Sequence, residues 1–325
     1  MNTQIIFIAS LPRSGSTLLQ KMLSASPDVA SSAEPWIMLP FWGMRLPASG
    51  RSVYFHYIAA MAINDFLDNI PNGERVYAES VGHFARHMYT AAAREKPVFL
   101  DKTPRYYLML PLLHQALPEA KTILLLRNPL AVLASICETF NRGRFLWFEY
   151  WIDWIDGHRC LAQAIRENHN NQVVLRYEEL VAAPDTTLKA LCPQIGLEYT
   201  DAMITGYKSS ALAGRMGDPV GVHRYAAVSS ASINKWQTFY NTAYRRSVAE
   251  KMLRQLDPQD LETLGYPLPK LLEMLHATPP APGMDFRSRA HQAIDAFARA
   301  VDFRYLQARW RAKRQGEPHA YGYYR

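Results

Sequence analysis

The sequence predicts an α/β fold in which helices flank a parallel sheet, and three observations support this. Short apolar segments typical of buried strands alternate along the chain with segments of helical periodicity. A polar cluster follows several of these strands, as at the carboxyl edge of a parallel sheet, where ligands bind. Hydrophobic residues make up 49% of the 325 residues, which is enough for a large buried core.

The first elements follow one another as strand, polar loop and helix. Residues 5–9 form an apolar, β-branched run typical of a buried strand, and residues 16–25 have the apolar spacing of a helix. The later strands are predicted at residues 97–100, 122–126 and 172–175, and the helices after them at residues 105–116, 130–140 and 177–181.

Residues 143–168 are predicted to form one long helix with three tryptophans on one side. Trp147, Trp151 and Trp154 are spaced at i, i+4 and i+7. This stripe favours a surface that faces the core, and the wall of an acceptor pocket is the alternative.

The positive charge is concentrated near the C-terminus. The net charge is +7, yet residues 284–325 carry nine Lys or Arg against four Asp or Glu, which leaves +2 for residues 1–283. The nearly neutral core disfavours a nucleic-acid binder. We predict one domain over residues 1–276, a Pro-rich linker over residues 277–283 and a basic helical extension over residues 284–325. The sequence leaves open whether that extension packs on the core, forms a homodimer contact or binds an anionic acceptor.

Several other classes of protein are disfavoured by the residue pattern. The chain has no run of about eighteen apolar residues, so no transmembrane segment is predicted. The N-terminus lacks the positive region of a secretory signal. Cys137, Cys160 and Cys192 are widely spaced and form no CxxC pair, which argues against a zinc site or a disulfide framework. We therefore expect a cytoplasmic protein.

Residues 11–17, Leu-Pro-Arg-Ser-Gly-Ser-Thr, join the first strand to its helix, where backbone N–H groups can bind an anion. When Gly15 is aligned with the second glycine of a Walker A loop, Ser16 replaces the lysine and Thr17 keeps the hydroxyl. The missing lysine argues against a standard ATPase or GTPase. Arg13 can instead hold a phosphate or sulfate with its forked guanidinium. A P-loop-like, ATP-binding kinase-type protein remains the alternative, and a basic scaffold protein is a third hypothesis.

A second anion site is predicted around Arg127 and Ser135. Arg127 follows the strand predicted at residues 122–126, and Ser135 lies eight residues later, about two turns into the next helix. A cation at a strand end and a hydroxyl from the following helix suit a phosphate group that is separate from the first.

Together these motifs resemble those of the PAPS-dependent sulfotransferases, above all the tyrosylprotein, Golgi-carbohydrate and bacterial members. The segment PRSGSTLL resembles the family's 5′-phosphosulfate loop, and the pair Arg127 and Ser135 resembles its 3′-phosphate element. The resemblance extends from residue 5 to about residue 236. It implies a P-loop-NTPase-like fold and sulfuryl transfer from PAPS to an acceptor hydroxyl.

The resemblance also implies which residues hold the nucleotide. Those for the 5′-phosphosulfate are Arg13, Ser14, Gly15, Ser16 and Thr17, and those for the 3′-phosphate are Arg127 and Ser135. Tyr177 matches a tyrosine placed near the nucleotide. Lys235, followed by Trp236, resembles a lysine that closes over the nucleotide.

Two further residues match the family's catalytic groups. Lys102, in Asp-Lys-Thr-Pro, matches a lysine that approaches the sulfuryl group, and an ion pair with Asp101 is the alternative for it. Glu34 lies 21 residues after Arg13, as does the general base of tyrosylprotein sulfotransferases. Because sulfuryl transfer has no β,γ-phosphate pair to bridge, no metal is predicted.

The acceptor is less well defined by the sequence. Residues 34–57 are rich in Trp, Phe, Met and Pro and are expected to line the acceptor side. This composition does not distinguish a sugar, lipid, phenol or peptide. The missing membrane anchor argues against a Golgi enzyme, so a cytosolic glycan, glycolipid or other metabolite is favoured over a protein tyrosine.

Overall fold

A parallel sheet lies at the centre of the computed structural model, which describes residues 3–46, 56–140, 143, 150–208, 212, 231–277, 290 and 293. The strands are β1 (Gln4–Ser10), β2 (Val29–Ser31), β3 (Val98–Lys102), β4 (Lys121–Leu126) and β5 (Gln172–Arg176). Their order is β2-β3-β1-β4-β5, and every neighbouring pair is parallel. Such a sheet is covered on both faces, which explains the nearly continuous apolar sequence of β1 and β4.

Helices surround this sheet and supply its connections. The α-helices are α1 (Ser16–Leu23), α2 (Leu39–Gly43), α3 (His56–Asp68), α4 (Gly73–Ala93), α5 (Leu110–Ala116), α6 (Pro129–Phe140), α7 (Trp151–Glu167), α8 (Tyr177–Ala182), α9 (Pro184–Gln194), α10 (Ala202–Thr205), α11 (Ala231–Asn234), α12 (Ala243–Leu253), α13 (Pro258–Thr263) and α14 (Leu268–His276). Two 3₁₀ helices, Pro104–Met109 and Lys235–Thr238, precede α5 and α12 respectively.

Alternate residues of the central strand face two different apolar cores. Phe7 packs with residues of α4, α5, α7 and the first 3₁₀ helix, whereas Ile6 and Ile8 pack with residues of α1, α8 and α9. This alternation is the two-residue period of a strand that is buried on both faces. The carboxyl end of β1 is thereby fixed between two packed layers, and this is where the polar loop begins.

A third apolar cluster packs α6 against the helices of residues 231–276. Trp154 is fully buried there, and its Nε1 donates a hydrogen bond to the Met252 carbonyl at 3.1 Å. Trp151 packs against the same cluster. The core-facing interpretation of the tryptophan stripe therefore holds for these two residues, and Trp147 lies outside the described residues.

The structure confirms the predicted fold class and corrects several local predictions. The predicted strands are present, each within one or two residues of its predicted bounds. The helix predicted at residues 105–116 begins as a 3₁₀ helix, because Pro104 and a second proline at position 111 interrupt regular α-helical hydrogen bonding. The long helix predicted from residue 143 begins at Trp151. The sequence analysis missed β2, which has only three residues, and the helices α2 to α4 and α9 to α14.

The predicted division of the chain stays a prediction. Residues 278–289 lie outside the described residues, as does the extension from residue 284 onward apart from residues 290 and 293. Among the described helices, none is both long enough and apolar enough to cross a membrane.

Candidate active site

The loop between β1 and α1 has the backbone conformation expected of an anion-binding turn. Arg13 has φ 69° and Gly15 has φ 89°, both in the left-handed region. A Cβ atom on Gly15 would overlap the ring of Tyr177, so the close approach of loop and ring requires glycine there. Ser16 and Thr17 form the buried first turn of α1, whose leading backbone N–H groups have no partner within the helix.

Two arginines from different parts of the sheet meet beside this loop. Arg127, at the end of β4, donates from Nη1 to the carbonyl oxygen of Arg13 at 2.6 Å. Arg13 donates from Nε to Ser135 Oγ on α6 at 3.2 Å. The Arg127 guanidinium also lies 4.3 Å from the centre of the Tyr177 ring. The structure therefore brings the two predicted anion sites together with Tyr177, although they are more than 100 residues apart in sequence.

The predicted catalytic pair is in direct contact on the other side of the loop. Lys102 ends β3 and is 1% exposed, and its Nζ donates to Glu34 Oε1 at 2.6 Å. Trp36 Nε1 donates to the other oxygen, Glu34 Oε2, at 3.1 Å. The alternative pairing of Lys102 with Asp101 is wrong, because consecutive residues of a strand point to opposite faces. Asp101 instead accepts hydrogen bonds from Tyr89 and Tyr106.

Lys235 is the predicted nucleotide residue that the described structure does not join to the others. It lies exposed at the start of a 3₁₀ helix that packs on α6 through the buried Trp236. In the described part of the chain, no hydrogen bond or ion pair links its side chain to the loop of residues 11–17. Its predicted role therefore has no geometric support.

The sequence analysis missed residues that hold the segment carrying Glu34. Gln20, buried on α1, donates from Nε2 to Ser31 Oγ at 2.8 Å and to the Ser32 carbonyl at 2.7 Å. Thr103 Oγ1 accepts from the Trp36 backbone N–H at 3.3 Å. A glutamine among the apolar residues of a buried helix is a signal that sequence reasoning could have used. The hydrogen bond between Trp36 and Thr103 has no sequence signal.

Unpaired polar atoms cluster around the loop. Ser10 Oγ, Ser14 Oγ and Arg127 Nε are buried and have no hydrogen-bond partner among the described residues. Since buried polar atoms are normally paired, these atoms, together with the two arginines and Lys102, fit a ligand with several anionic oxygens. Within the same residues, no group of His, Cys, Asp and Glu is arranged to hold a metal ion.

Comparison with known proteins assigns the chain to a family. The model of the sulfotransferase family matches residues 5–201, which is more than half of the chain. The chain belongs to the sulfotransferase family. All the predicted site residues of this sulfotransferase except Lys235 lie within the matched residues.

Two curated relatives are similar over most of this sulfotransferase. Nodulation protein NoeE of Sinorhizobium fredii is 31% identical over 81% of this chain and 66% of its own length, so the chain spans just under two thirds of that relative. A Caenorhabditis briggsae protein assigned as a protein-tyrosine sulfotransferase is 23% identical over 81% of this chain and 89% of its own. Among solved structures, the sulfotransferase domain of the Synechococcus PCC 7002 olefin synthase is 26% identical, with a TM-score of 0.48, over 73% of this chain and 88% of that one.

Proposed function

We propose that this sulfotransferase moves the sulfuryl group of PAPS to an acceptor hydroxyl, without a metal. The observation that carries the proposal is the meeting of two anion sites, around Arg13 and Arg127, beside a buried lysine in contact with a carboxylate. PAPS has two separate phosphate positions and a sulfuryl group, so it needs these features together. A nucleotide with a single phosphate chain would need only one anion site.

The donor would lie across the carboxyl ends of β1 and β4. The 5′-phosphosulfate is proposed to bind Arg13, Ser14, Gly15, Ser16 and Thr17 through the loop amides, hydroxyls and guanidinium. The 3′-phosphate is proposed to bind Arg127 and Ser135, with Tyr177 beside the nucleotide. The unpaired Arg127 Nε and Ser14 Oγ support this because each can donate a hydrogen bond to a phosphate oxygen. A role for Lys235 rests on the family resemblance alone.

Lys102 and Glu34 would carry out the chemistry. The acceptor oxygen attacks sulfur in line, the bond from sulfur to the bridging oxygen breaks, and adenosine 3′,5′-bisphosphate leaves. Lys102 is the cation that would stabilise the charge on the leaving oxygen, an effect worth roughly 3 kcal/mol for one well-placed donor. Glu34 would take the acceptor's proton as general base, which contributes about 10²- to 10⁴-fold.

The acceptor is proposed to be a glycan, a glycolipid or another metabolite made in the cytosol, and a protein tyrosine is the next candidate. The name of the Caenorhabditis briggsae relative supports the second candidate. All three cysteines are free thiols, which is compatible with a reducing compartment. Transfer of labelled sulfate from PAPS into fractionated extracts of the source cells, followed by identification of the product, would identify the acceptor.

Calorimetry with the purified protein tests the donor. Adenosine 3′,5′-bisphosphate should bind in the presence of EDTA, and AMP, which lacks the 3′-phosphate, should bind at least 10-fold more weakly. Binding of ATP that requires Mg²⁺, with no binding of the bisphosphate, would instead support a kinase-type protein and overturn the proposal.

A further inference from the structure

A buried carboxylate lies next to the proposed catalytic lysine in β3. Asp101 is the residue before Lys102 in β3 and is completely buried. Its Oδ2 accepts hydrogen bonds from the hydroxyls of Tyr89 at 2.6 Å and Tyr106 at 2.9 Å. Its Oδ1 accepts from Thr103 Oγ1 at 2.9 Å. Burial raises the pKa of Asp101 to about 6, while the three hydroxyl donors and the charge of Lys102 act against this rise.

The Thr103 hydroxyl takes part in two hydrogen bonds. It donates its proton to Asp101 Oδ1. The lone pairs of the hydroxyl oxygen then face the backbone N–H of Trp36, which donates to it at 3.3 Å. One hydroxyl group therefore connects the end of β3 to the segment that follows β2.

That segment needs such a connection because its backbone is strained. Trp36 has φ 58°, in the left-handed region that is unfavourable for a residue with a side chain. In this conformation the Trp36 indole donates from Nε1 to Glu34 Oε2, while Lys102 holds Oε1. The orientation of the Glu34 carboxylate thus depends on the backbone of Trp36.

We propose that Asp101 and Thr103 are positioning residues, which hold Trp36 in its left-handed conformation so that its indole aims the Glu34 carboxylate at the acceptor. The proposal rests on the proposed role of Glu34 as general base. Consecutive residues of β3 then control one carboxylate from two directions. Lys102 contacts it directly, and Asp101 acts on it through Thr103 and Trp36.

Thr103 offers the direct test, because valine has the same shape and lacks the hydroxyl. Thr103→Val should lower kcat by about 10- to 100-fold, the size expected for a small misplacement of a catalytic group. Thr103→Ser, which keeps the hydroxyl, should restore kcat to within about threefold of the wild type. The KM for PAPS and the Kd for adenosine 3′,5′-bisphosphate should stay within about twofold, since the nucleotide site is untouched.

The first 3₁₀ helix provides a matched pair of variants should the valine variant fail to fold. Tyr106 and Tyr107 are neighbours, both fully buried, and each donates its hydroxyl to a buried aspartate: Tyr106 to Asp101, and Tyr107 to Asp153 at 2.6 Å. Tyr106→Phe should lower kcat by about threefold or more with nucleotide binding unchanged, because it weakens the anchor of Thr103. Tyr107→Phe should leave kcat unchanged.

Two outcomes would overturn the positioning role. One is a kcat of Thr103→Val within twofold of the wild type, and the other is an equal loss in Thr103→Ser, which would indicate packing instead of hydrogen bonding. Glu34→Gln separates this failure from failure of the proposed function. If Glu34→Gln loses turnover and Thr103→Val does not, only the positioning role is wrong. If Glu34→Gln keeps its turnover, the general base and the residues said to position it are wrong together.

Discussion

Replacing Glu34 by glutamine should destabilise the nucleotide-free protein, because it removes the counter-charge of a buried lysine. Lys102 is 1% exposed and its Nζ lies 2.6 Å from Glu34 Oε1. Loss of one partner from a buried ion pair costs about 3–5 kcal/mol. We expect about 3 kcal/mol, since the glutamine oxygen still accepts from Nζ. With an unfolding entropy of about 2.1 cal/mol/K per residue over 325 residues, Tm should fall by about 4 °C.

Replacing Lys102 should lower the free energy of unfolding by less than replacing Glu34, because the two side chains differ in burial. Glu34 is 13% exposed and keeps the hydrogen bond from Trp36 Nε1 when Lys102 is replaced by methionine. Methionine fills the space of the lysine chain and carries no charge to desolvate. Lys102→Met should therefore lose only about 1 kcal/mol, which corresponds to a Tm lower by about 1–2 °C.

Differential scanning calorimetry with and without adenosine 3′,5′-bisphosphate measures both effects. If the nucleotide binds as proposed, it competes with Glu34 for Lys102 in the wild type, and Glu34→Gln removes the charge of this competitor. The nucleotide should thus bind Glu34→Gln about 10-fold more tightly, or about 1.4 kcal/mol, and raise its Tm by more than that of the wild type. The reasoning is refuted if Lys102→Met is the less stable variant, or if nucleotide binding to Glu34→Gln is no tighter than to the wild type.

Three further changes test the site and its surroundings. Gly15→Ala should weaken binding of adenosine 3′,5′-bisphosphate by at least about 10-fold in calorimetry, because its Cβ would overlap the Tyr177 ring. Arg127→Lys should weaken binding of the bisphosphate by about 10-fold and leave AMP binding unchanged, since lysine keeps the charge and loses the planar fork that stacks on Tyr177. Asp101→Asn should remove a pH dependence of folding stability between about pH 4 and 6. The pKa of Asp101 is raised from 3.8 to about 6 in the folded protein, so its contribution to stability is present below about pH 4 and is lost as the pH rises through about 6, in total about 3 kcal/mol.

Each of these three has an outcome that would count against it. Gly143 also has a positive φ, 79°, and no atom of the described residues lies within 4 Å of its Cβ position, so Gly143→Ala is the control for backbone strain alone. Equal losses of binding in the two alanine variants would show that overlap with the Tyr177 ring is not the cause of the loss. If Arg127→Lys weakens the binding of AMP and of the bisphosphate equally, this arginine acts through the Arg13 carbonyl and not on the 3′-phosphate. The free energy of unfolding can be measured with urea from pH 4 to 8. If it changes with pH in the same way in the wild type and in Asp101→Asn, the carboxyl of Asp101 has an ordinary pKa.

The loop of residues 11–17 could be predicted from the sequence because its geometry is local. A buried strand, a turn with Gly15 and a helix beginning at Ser16 lie within about twenty residues, and each has its own pattern. The site around Arg127 could be predicted for the same reason, since a strand end and the following helix carry both of its residues. Their contact with Arg13 follows from β1 and β4 being neighbours in the sheet.

The contact between Glu34 and Lys102 could not be derived from local pattern, because it depends on strand order. It requires β2 to pair with β3, and three residues of β2 are too few to show a strand period. The family spacing suggested both residues without indicating that they touch. The left-handed backbone conformation of Trp36 could not be predicted from the sequence either. Aromatic residues do not favour a positive φ, and Trp36 adopts one here because of its tertiary contacts.

Strand order also separates the two halves of the proposed reaction. The loop of residues 11–17 follows the central strand β1. Arg127 and Ser135 lie on the β4 side of this loop, and Lys102 and Glu34 lie on the side of β3 and β2. Among the described residues, a nucleotide bound between β1 and β4 as proposed would leave the β2 side open to an acceptor that attacks in line. The segment after β2 lies there, and its helix α2 is tied to α4 by the Tyr77 hydroxyl, which donates to the Phe41 carbonyl at 2.6 Å. Substitutions in residues 37–46 should therefore change the choice of acceptor while the affinity for the donor stays the same.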